Sequence, residues 1–266
     1  GDLAVHVIDS AGRPVPTTLS AVTLSRDELA AVDAFWQQRI YFDGRPLRRV
    51  EVLPRFKPRD RRFEVPGVVS VMALPARAFD PAATPGPNPR PDRPFIEKVH
   101  ARLISRVPLA TELYVIGCEY IALGLAVGVT IRDGHARDSV LFEVQSALRR
   151  LLWPLPPGGA EGSGWPLGRA VRERELEVEI SRVAGVLEVS GLVLFERSSR
   201  DDGDDWRSIA TSPADGTRTL PLAAWQLPEL LSVVVVEGPA PDNLRALPNP
   251  FAHPDAVAVP VVPEVC

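Results

Sequence analysis

Four histidines, His6, His100, His135 and His253, are the residues best suited to moving protons or holding a metal near neutral pH. None has a second ligand at metal spacing, such as another histidine four residues on. His135 stands in "DGHARD", between Asp133 and Asp138, where a turn leads into a helix. Asp138 is close enough in sequence to hydrogen-bond it. The pattern fits a general base or, more simply, a surface histidine at a helix N-terminus. The carboxylates of "DDGDD" (201–205) lack the spacing and the closing glutamate of a calcium loop, so they read as a hairpin tip. There is no G-x-S-x-G elbow and no glycine loop to cradle a phosphate, because "GLAVGV" lies inside a strand pattern. Two cysteines, Cys118 and Cys266, make neither a disulfide framework nor a metal site. Cys118, in "YVIGCEYIAL", reads as a small buried apolar residue, and a Cys118–Cys266 pair stays open. These residues define no catalytic set, no metal site and no cofactor site.

The chain has 266 residues, 45% of them apolar, enough to bury a substantial core. Its net charge of −4 disfavours nucleic acid as a partner. No apolar run reaches the ~18 residues of a membrane-spanning helix. Met72 is the only methionine, and strand-like "LAVHVID" follows Gly1 at once, so the expectation is a processed chain or a piece of a longer one. Prolines number 28, about twice the usual ~5%, which implies long, stiff connections.

The elements that would position any site follow from periodicity. Residues 1–24 read as strands, and "SRDELAAVDAFWQQR" starts a helix with Ser25 and Glu28 as a capping box. Residues 43–64 hold eight Lys/Arg against four acidic residues, either a solvated segment or a contact surface for an acidic partner. A strand over 65–75 leads into a proline-rich connector, 79–94. A helix over 93–106 begins at Pro94 with Ile96, Val99 and Leu103 on one face. The stretch 119–132 alternates cleanly. Ile121, Leu123, Leu125, Val127, Val129 and Ile131 face a core, expected to include helices 93–106 and 135–152. Gly124, Ala126 and Gly128 face the other way and allow close approach of another element or a partner chain. Helix 135–152 has the stripe Val140, Val144, Ala147, Leu148 and Leu151. A helix over 171–185 closes on Gly185 as its C′ residue. Strands over 186–196 and in "LPELLSVVVVEG" complete an α+β fold of mixed sheets and packed helices, followed by an extended tail from Pro239.

Between the helices 135–152 and 171–185 lies "LLWPLPPGGAEGSGWPLGR". It is filled with helix breakers yet carries Trp153 and Trp165. A flexible linker has no use for tryptophan. Gly164 and Gly168 permit a tight bend, Pro166 stiffens it, and Trp165 anchors it, either on its own core or in a neighbour's pocket.

The order "RPFIEKVHARLISRVPLATELYVIGCEYIALGLAVGVTIRDG", then "VQSALRRLLWPLPPGG", then "GWPLGRAVRERELEVEISRVAGVLEVSGLVL" resembles the baseplate J-like family. Its members build wedges in the baseplates of contractile phage tails and related contractile injection systems. The resemblance covers about residues 65–196, and "PLPPGG" followed by "GWPLGR" is its most specific part. It implies a structural, non-enzymatic wedge subunit without cofactor. Pro154, Gly164, Trp165, Pro166, Gly168 and Gly185 are then the structural or interface candidates. It also implies partners: copies of the chain, a related wedge paralogue, and hub and sheath-proximal proteins. The implied setting is a phage-tail-like particle assembled in the bacterial cytoplasm. Two other classes stay open: a carbohydrate- or surface-binding module carried by such a particle, and a hydrolase. The expected organisation is an N-terminal α+β segment (1–78), the connector (79–94), a J-like α+β domain (95–196), a β-rich part (197–238) and an extended tail (239–266).

Overall fold

The computed structural model of the chain describes residues 4–8, 14–15, 41–42, 45–81, 88–197 and 206–244. The helix expected from Ser25, the turn 201–205, His253, Cys266 and the tail beyond 244 lie outside the described residues. The fold is α+β.

The first sheet contains β1 (Ala4–Ile8), β2 (Pro14–Val15), β3 (Tyr41–Phe42), β4 (Arg45–Pro54), β5 (Val68–Pro75) and β6 (Glu112–Ile116). Its order is β2-β1-β4-β5-β6, with β3 on β4. Strands β5 and β6 run parallel. Parallel neighbours cannot be joined by a tight turn, and their crossover carries the helix α1 (Arg93–Ile104). Asp92 caps α1, its carboxylate accepting the Phe95 N–H at 2.9 Å. Pro94 sits in the first turn, where its missing N–H costs nothing. Phe95 and Val99 drop onto Leu47 and Ala73. This corrects the expected packing of α1 on the long strand: the β5–β6 crossover holds its stripe against the first sheet.

The second sheet, in the order β10-β9-β7-β12, contains β7 (Glu119–Ile131), β9 (Val186–Arg197), β10 (Trp206–Ser208) and β12 (Gln226–Glu237). Strand β7 is antiparallel to β9 and parallel to β12. A two-stranded ribbon pairs β8 (Val171–Arg172) with β11 (Thr219–Leu220). Leu123, Leu125, Val127 and Val129 are all 0% exposed. They share one core with Val140, Val144 and Leu148 of α2 (Arg137–Leu151) and with Leu176 and Ile180 of α3 (Glu173–Ser181). Each such side chain contributes about 1.5–3 kcal/mol on burial.

Helix α3 is shorter than the expected 171–185. Val171 and Arg172 pair instead with Leu220 and Thr219, and α3 ends at Ser181 with Arg182 as its cap. Gly185 is therefore a turn residue, not a helix stop. The Val186 N–H returns to the Val183 carbonyl at 3.2 Å, a turn that needs the left-handed φ of 91° found at Gly185.

The small face of β7 is covered by the chain's own residues 238–244. The Gly238 N–H donates to the Val129 carbonyl at 2.9 Å. A Cβ on Gly128 would overlap the Gly238 carbonyl, and one on Gly124 would overlap Leu244 and lie 3.1 Å from the Trp206 ring. Replacing Gly128 by valine must therefore push this strap off the sheet, at a cost of about 1–3 kcal/mol. Amide hydrogen exchange of residues 238–244 in the Gly128→Val variant checks this, and unchanged protection there rules the strap out as the reason for the glycine.

The basic stretch 43–64 and the connector 79–94 lack helix periodicity, so the aromatic residues Phe56, Phe63 and Phe79 they hold would be expected to lie across partners. Instead Phe56 is 1% exposed in the main core, with Phe63 packed against it, and Phe79 meets Trp153 edge to face at 5.7 Å.

Candidate assembly site: the buckled tryptophan loop

The loop after α2 starts where Leu151 ends the helix. Its backbone then closes on itself. The Gly159 N–H donates to Leu151, the Gly164 N–H to Gly158 at 2.7 Å, and the Trp165 N–H to Trp153 at 2.9 Å. Gly164 has φ 103° and lies so close to the Pro154 carbonyl that no Cβ fits. Gly168, at φ 70°, donates to the Gln226 carbonyl at 2.9 Å, tying the loop to the start of β12. Pro166 lies between them, half-buried.

Trp165 is 0% exposed within its own chain. Its indole N–H donates to the Arg169 carbonyl at 3.1 Å, and the Arg169 guanidinium lies over the ring at 5.3 Å. The ring fills its own core rather than presenting itself to a partner. Trp153 is half-buried, and its indole N–H has no hydrogen-bond partner among the described residues.

The bolt of this buckle is Arg49 on β4. Its Nη1 donates to the Pro154 carbonyl at 2.5 Å and to the Trp165 carbonyl at 2.7 Å, so one side chain joins both limbs of the loop. Its Nε reaches Glu51 at 2.6 Å, and both side chains are 2% exposed. Sequence reasoning missed this pair, which falls in the basic stretch 43–64 read either as a solvated segment or as a contact surface for an acidic partner. The available signal was parity: Leu47, Arg49, Glu51 and Leu53 alternate along β4, and all four are buried.

A second polar tie lies nearby. Glu229 on β12, 5% exposed, accepts the Asn88 N–H and both Arg90 nitrogens at 2.7 Å. The bond to Glu229 raises the Arg90 pKa. Arg90 also covers the Tyr120 ring at 4.8 Å, and the Tyr120 hydroxyl donates to the Pro89 carbonyl at 2.7 Å. Burial holds the Tyr120 hydroxyl well above its ordinary pKa.

Burial likewise pushes the Cys118 thiol far above its ordinary 9.0, so this thiol stays protonated and is a poor nucleophile. The sign for stability follows. Above the unfolded pKa, the unfolded chain releases a proton that the folded chain keeps. The stability present below about pH 9 is therefore lost as pH rises. Urea midpoints between about pH 8 and pH 10 should fall more steeply for the parent than for Cys118→Ala, and equal slopes would contradict the burial argument.

His135 is exposed, and no hydrogen bond joins it to Asp138, which lies 3.7 Å from Arg137 instead. The imidazole lies beside Gly185, where a Cβ would meet Nδ1 at 2.8 Å. His135 also lines a groove of about 750 Å³ between α2 and α3, with Phe142, Ser146, Glu179 and Arg182. Glu179 in this groove is paired with Arg182 at 3.3 Å and lies 3.9 Å from Arg150. Among the described residues no group of three His, Cys, Asp or Glu is placed to hold a metal, and no helix is long and apolar enough to cross a membrane.

No protein family matches the sequence, and no characterised protein matches it. Among solved structures, a chain in the cryo-EM structure of the anti-feeding prophage baseplate, 6-fold symmetrised, is similar over 69% of this chain, at 16% identity and a TM-score of 0.40. The match takes in 33% of that chain, so the present chain spans about a third of its length.

Proposed function

We propose that the chain is a structural subunit of the baseplate of a contractile injection system or phage-tail-like particle. In this reading it acts as a wedge protein that holds neighbouring baseplate and hub subunits beneath the sheath. It turns over no substrate and takes no cofactor. Its partners are copies of itself, a related wedge paralogue and sheath-proximal proteins, and it assembles in the bacterial cytoplasm.

The observation that carries this reading is the buckled loop. The most specific words of the sequence resemblance, "PLPPGG" and "GWPLGR", fall on the residues that close the buckle. Pro154 accepts the bolt, Gly164 and Gly168 make the close approaches, and Trp165 fills the core. A chain that must transmit load between neighbours needs such internal cross-ties more than it needs a concave site. Native purification of the tagged chain from its bacterial source, followed by negative-stain microscopy, tests the proposal. The expected result is sheath-bearing particles labelled at the baseplate end. Recovery of the chain alone, or with glycan-binding or hydrolytic activity that His135→Ala abolishes, would move the function to the α2–α3 groove.

A further inference from the structure

The loop between α1 and β6 holds a leucine out into solvent. Leu109 is 100% exposed, and Ile104, the last residue of α1, is 47% exposed. A lone exposed leucine is ordinary, but this one is fixed in place. It is the second residue of the turn 108–111, whose Thr111 N–H returns to the Pro108 carbonyl at 3.2 Å. The third residue, Ala110, has a left-handed φ of 67°, a conformation that glycine takes freely and alanine does not. Strain of this kind persists only where surrounding structure imposes it, and it concentrates at functional sites. Here the Glu112 N–H donates to the Gly67 carbonyl at 2.7 Å. The Ala110 carbonyl is pressed so closely on Gly67 that a Cβ there would lie 3.1 Å from it. Leu109 is thus a rigid apolar knob. Residues 98–111 around it carry Lys98, Arg102 and Arg106 and no acidic residue.

The groove between α2 and α3 offers the complement. Its volume of about 750 Å³ lies in the range of sites that enclose a whole ligand, ~300–1,000 Å³. Buried Val140 and Ala147 line it, with half-buried Phe142 and Val183. The Ser146 hydroxyl also lines it, its oxygen buried and without a hydrogen-bond partner among the described residues. Such orphans are rare in folded proteins, and a backbone carbonyl of an entering turn satisfies this one. Glu143 in the lining is exposed and has no ion-pair partner among the described residues, whereas Glu179 is matched by Arg182 and Arg150.

We propose that the Leu109 turn of one copy docks in the α2–α3 groove of a second copy, with the cations of 98–111 facing Glu143. The proposal deepens the assembly reading, names the surface by which copies meet, and rests on that reading. Leu109 is fully exposed, so it does not occupy the groove of its own chain. Charge complementarity between described residues supports a second copy as the occupant: the knob is flanked by basic residues alone, and the groove's unpaired charge is acidic. The knob sits on the crossover of the first sheet and the groove between helices of the second. The two surfaces differ, so the contact is head to tail, the kind that builds rings or open chains rather than closed two-fold dimers.

Sedimentation velocity of the purified full chain across concentration tests this. The parent should associate beyond the dimer as concentration rises. Leu109→Asp should weaken association by about tenfold or more, the effect of losing one buried anchor, with an unaltered melting curve because the side chain touches nothing in its own chain. Phe142→Asp should do the same from the groove side. Should Phe142→Asp fail to fold, Glu143→Lys replaces it, since Glu143 is exposed; its loss should be smaller, and Arg106→Glu in the same chain should restore part of it. The decisive sample is an equimolar mixture of the knob variant and the groove variant. One keeps the groove and the other keeps the knob, so two chains that are monomeric alone should form a one-to-one dimer and stop there. A mixture that stays monomeric, or that grows past the dimer, overturns the pairing of these two surfaces. A parent that is monomeric at every concentration, or that associates no more tightly than Leu109→Asp, overturns it as well and leaves the baseplate reading to its microscopy. Binding of phosphatidylglycerol vesicles by the parent and not by Leu109→Asp, without self-association, overturns the second copy as occupant and makes the knob a membrane contact.

Discussion

Arg49→Ala should lower the unfolding free energy by about 3–5 kcal/mol, the range for breaking a buried ion pair from one side. Three acceptors lose their donor at once: the Glu51 carboxylate and the carbonyls of Pro154 and Trp165. Glu51 is already half-satisfied, since its Oε2 has no hydrogen-bond partner. Removal of Arg49 therefore strands a full charge that is 2% exposed. Arg49→Met with Glu51→Leu should lose less than the two single changes combined, because the apolar pair removes the stranded charge. The loop carbonyls stay unpaired in it, at about 1–3 kcal/mol each. Urea unfolding followed by circular dichroism measures all three variants. A single Arg49→Ala variant within about 0.5 kcal/mol of the parent would mean that the bolt is decorative.

Trp165→Ala should cost about 3–5 kcal/mol in the isolated chain, with no partner present. The ring is fully buried, and its removal leaves a cavity lined by groups that cannot collapse inward, since Gly164 and Gly168 are already pressed against backbone. Trp165→Phe should cost less, keeping most of the packing and losing the bond to the Arg169 carbonyl. The same melts distinguish the two places the ring could serve. A ring held for a neighbouring subunit would leave the isolated chain's stability unchanged while assembly failed.

The parts of the fold that sequence reveals are those governed by one period over many residues. The alternation of β7 and the stripe of α2 state their buried faces outright, and Leu123, Val127, Val144 and Leu148 are all 0% exposed. Gly124 and Gly128 signalled a close approach, but the occupant lies far along the chain, beyond β12, and no local rule points to it. The ordered character of the loop was legible from two tryptophans among breakers, while the direction Trp165 faces depends on which tertiary surface lies beneath. Arg49 and Glu51 were hidden for a different reason. Charges on a strand ordinarily mark the wet face, and only the pairing of β4 with β1 on one side and β5 on the other shows that the parity of Leu47 and Leu53 governs. Helix α3 was overextended because Val171 and Arg172 have acceptable helix propensity, and a tertiary ribbon overrode it.

Strand β12 bears on how the molecule comes to exist. Its first residue, Gln226, contacts Glu119 at the start of β7 across 107 positions of sequence. A ribosome adds roughly 5–20 residues per second, so β7 waits about 5–20 s on the nascent chain before its parallel neighbour is made. Throughout that interval one long edge of β7 has no partner from its own sequence, and its glycine face lacks the strap that will later close it. Such an edge is a template for the wrong strand, including β7 of another nascent chain. The second sheet is therefore committed late in synthesis, and a message truncated before Gln226 should yield not a smaller domain but a chaperone client.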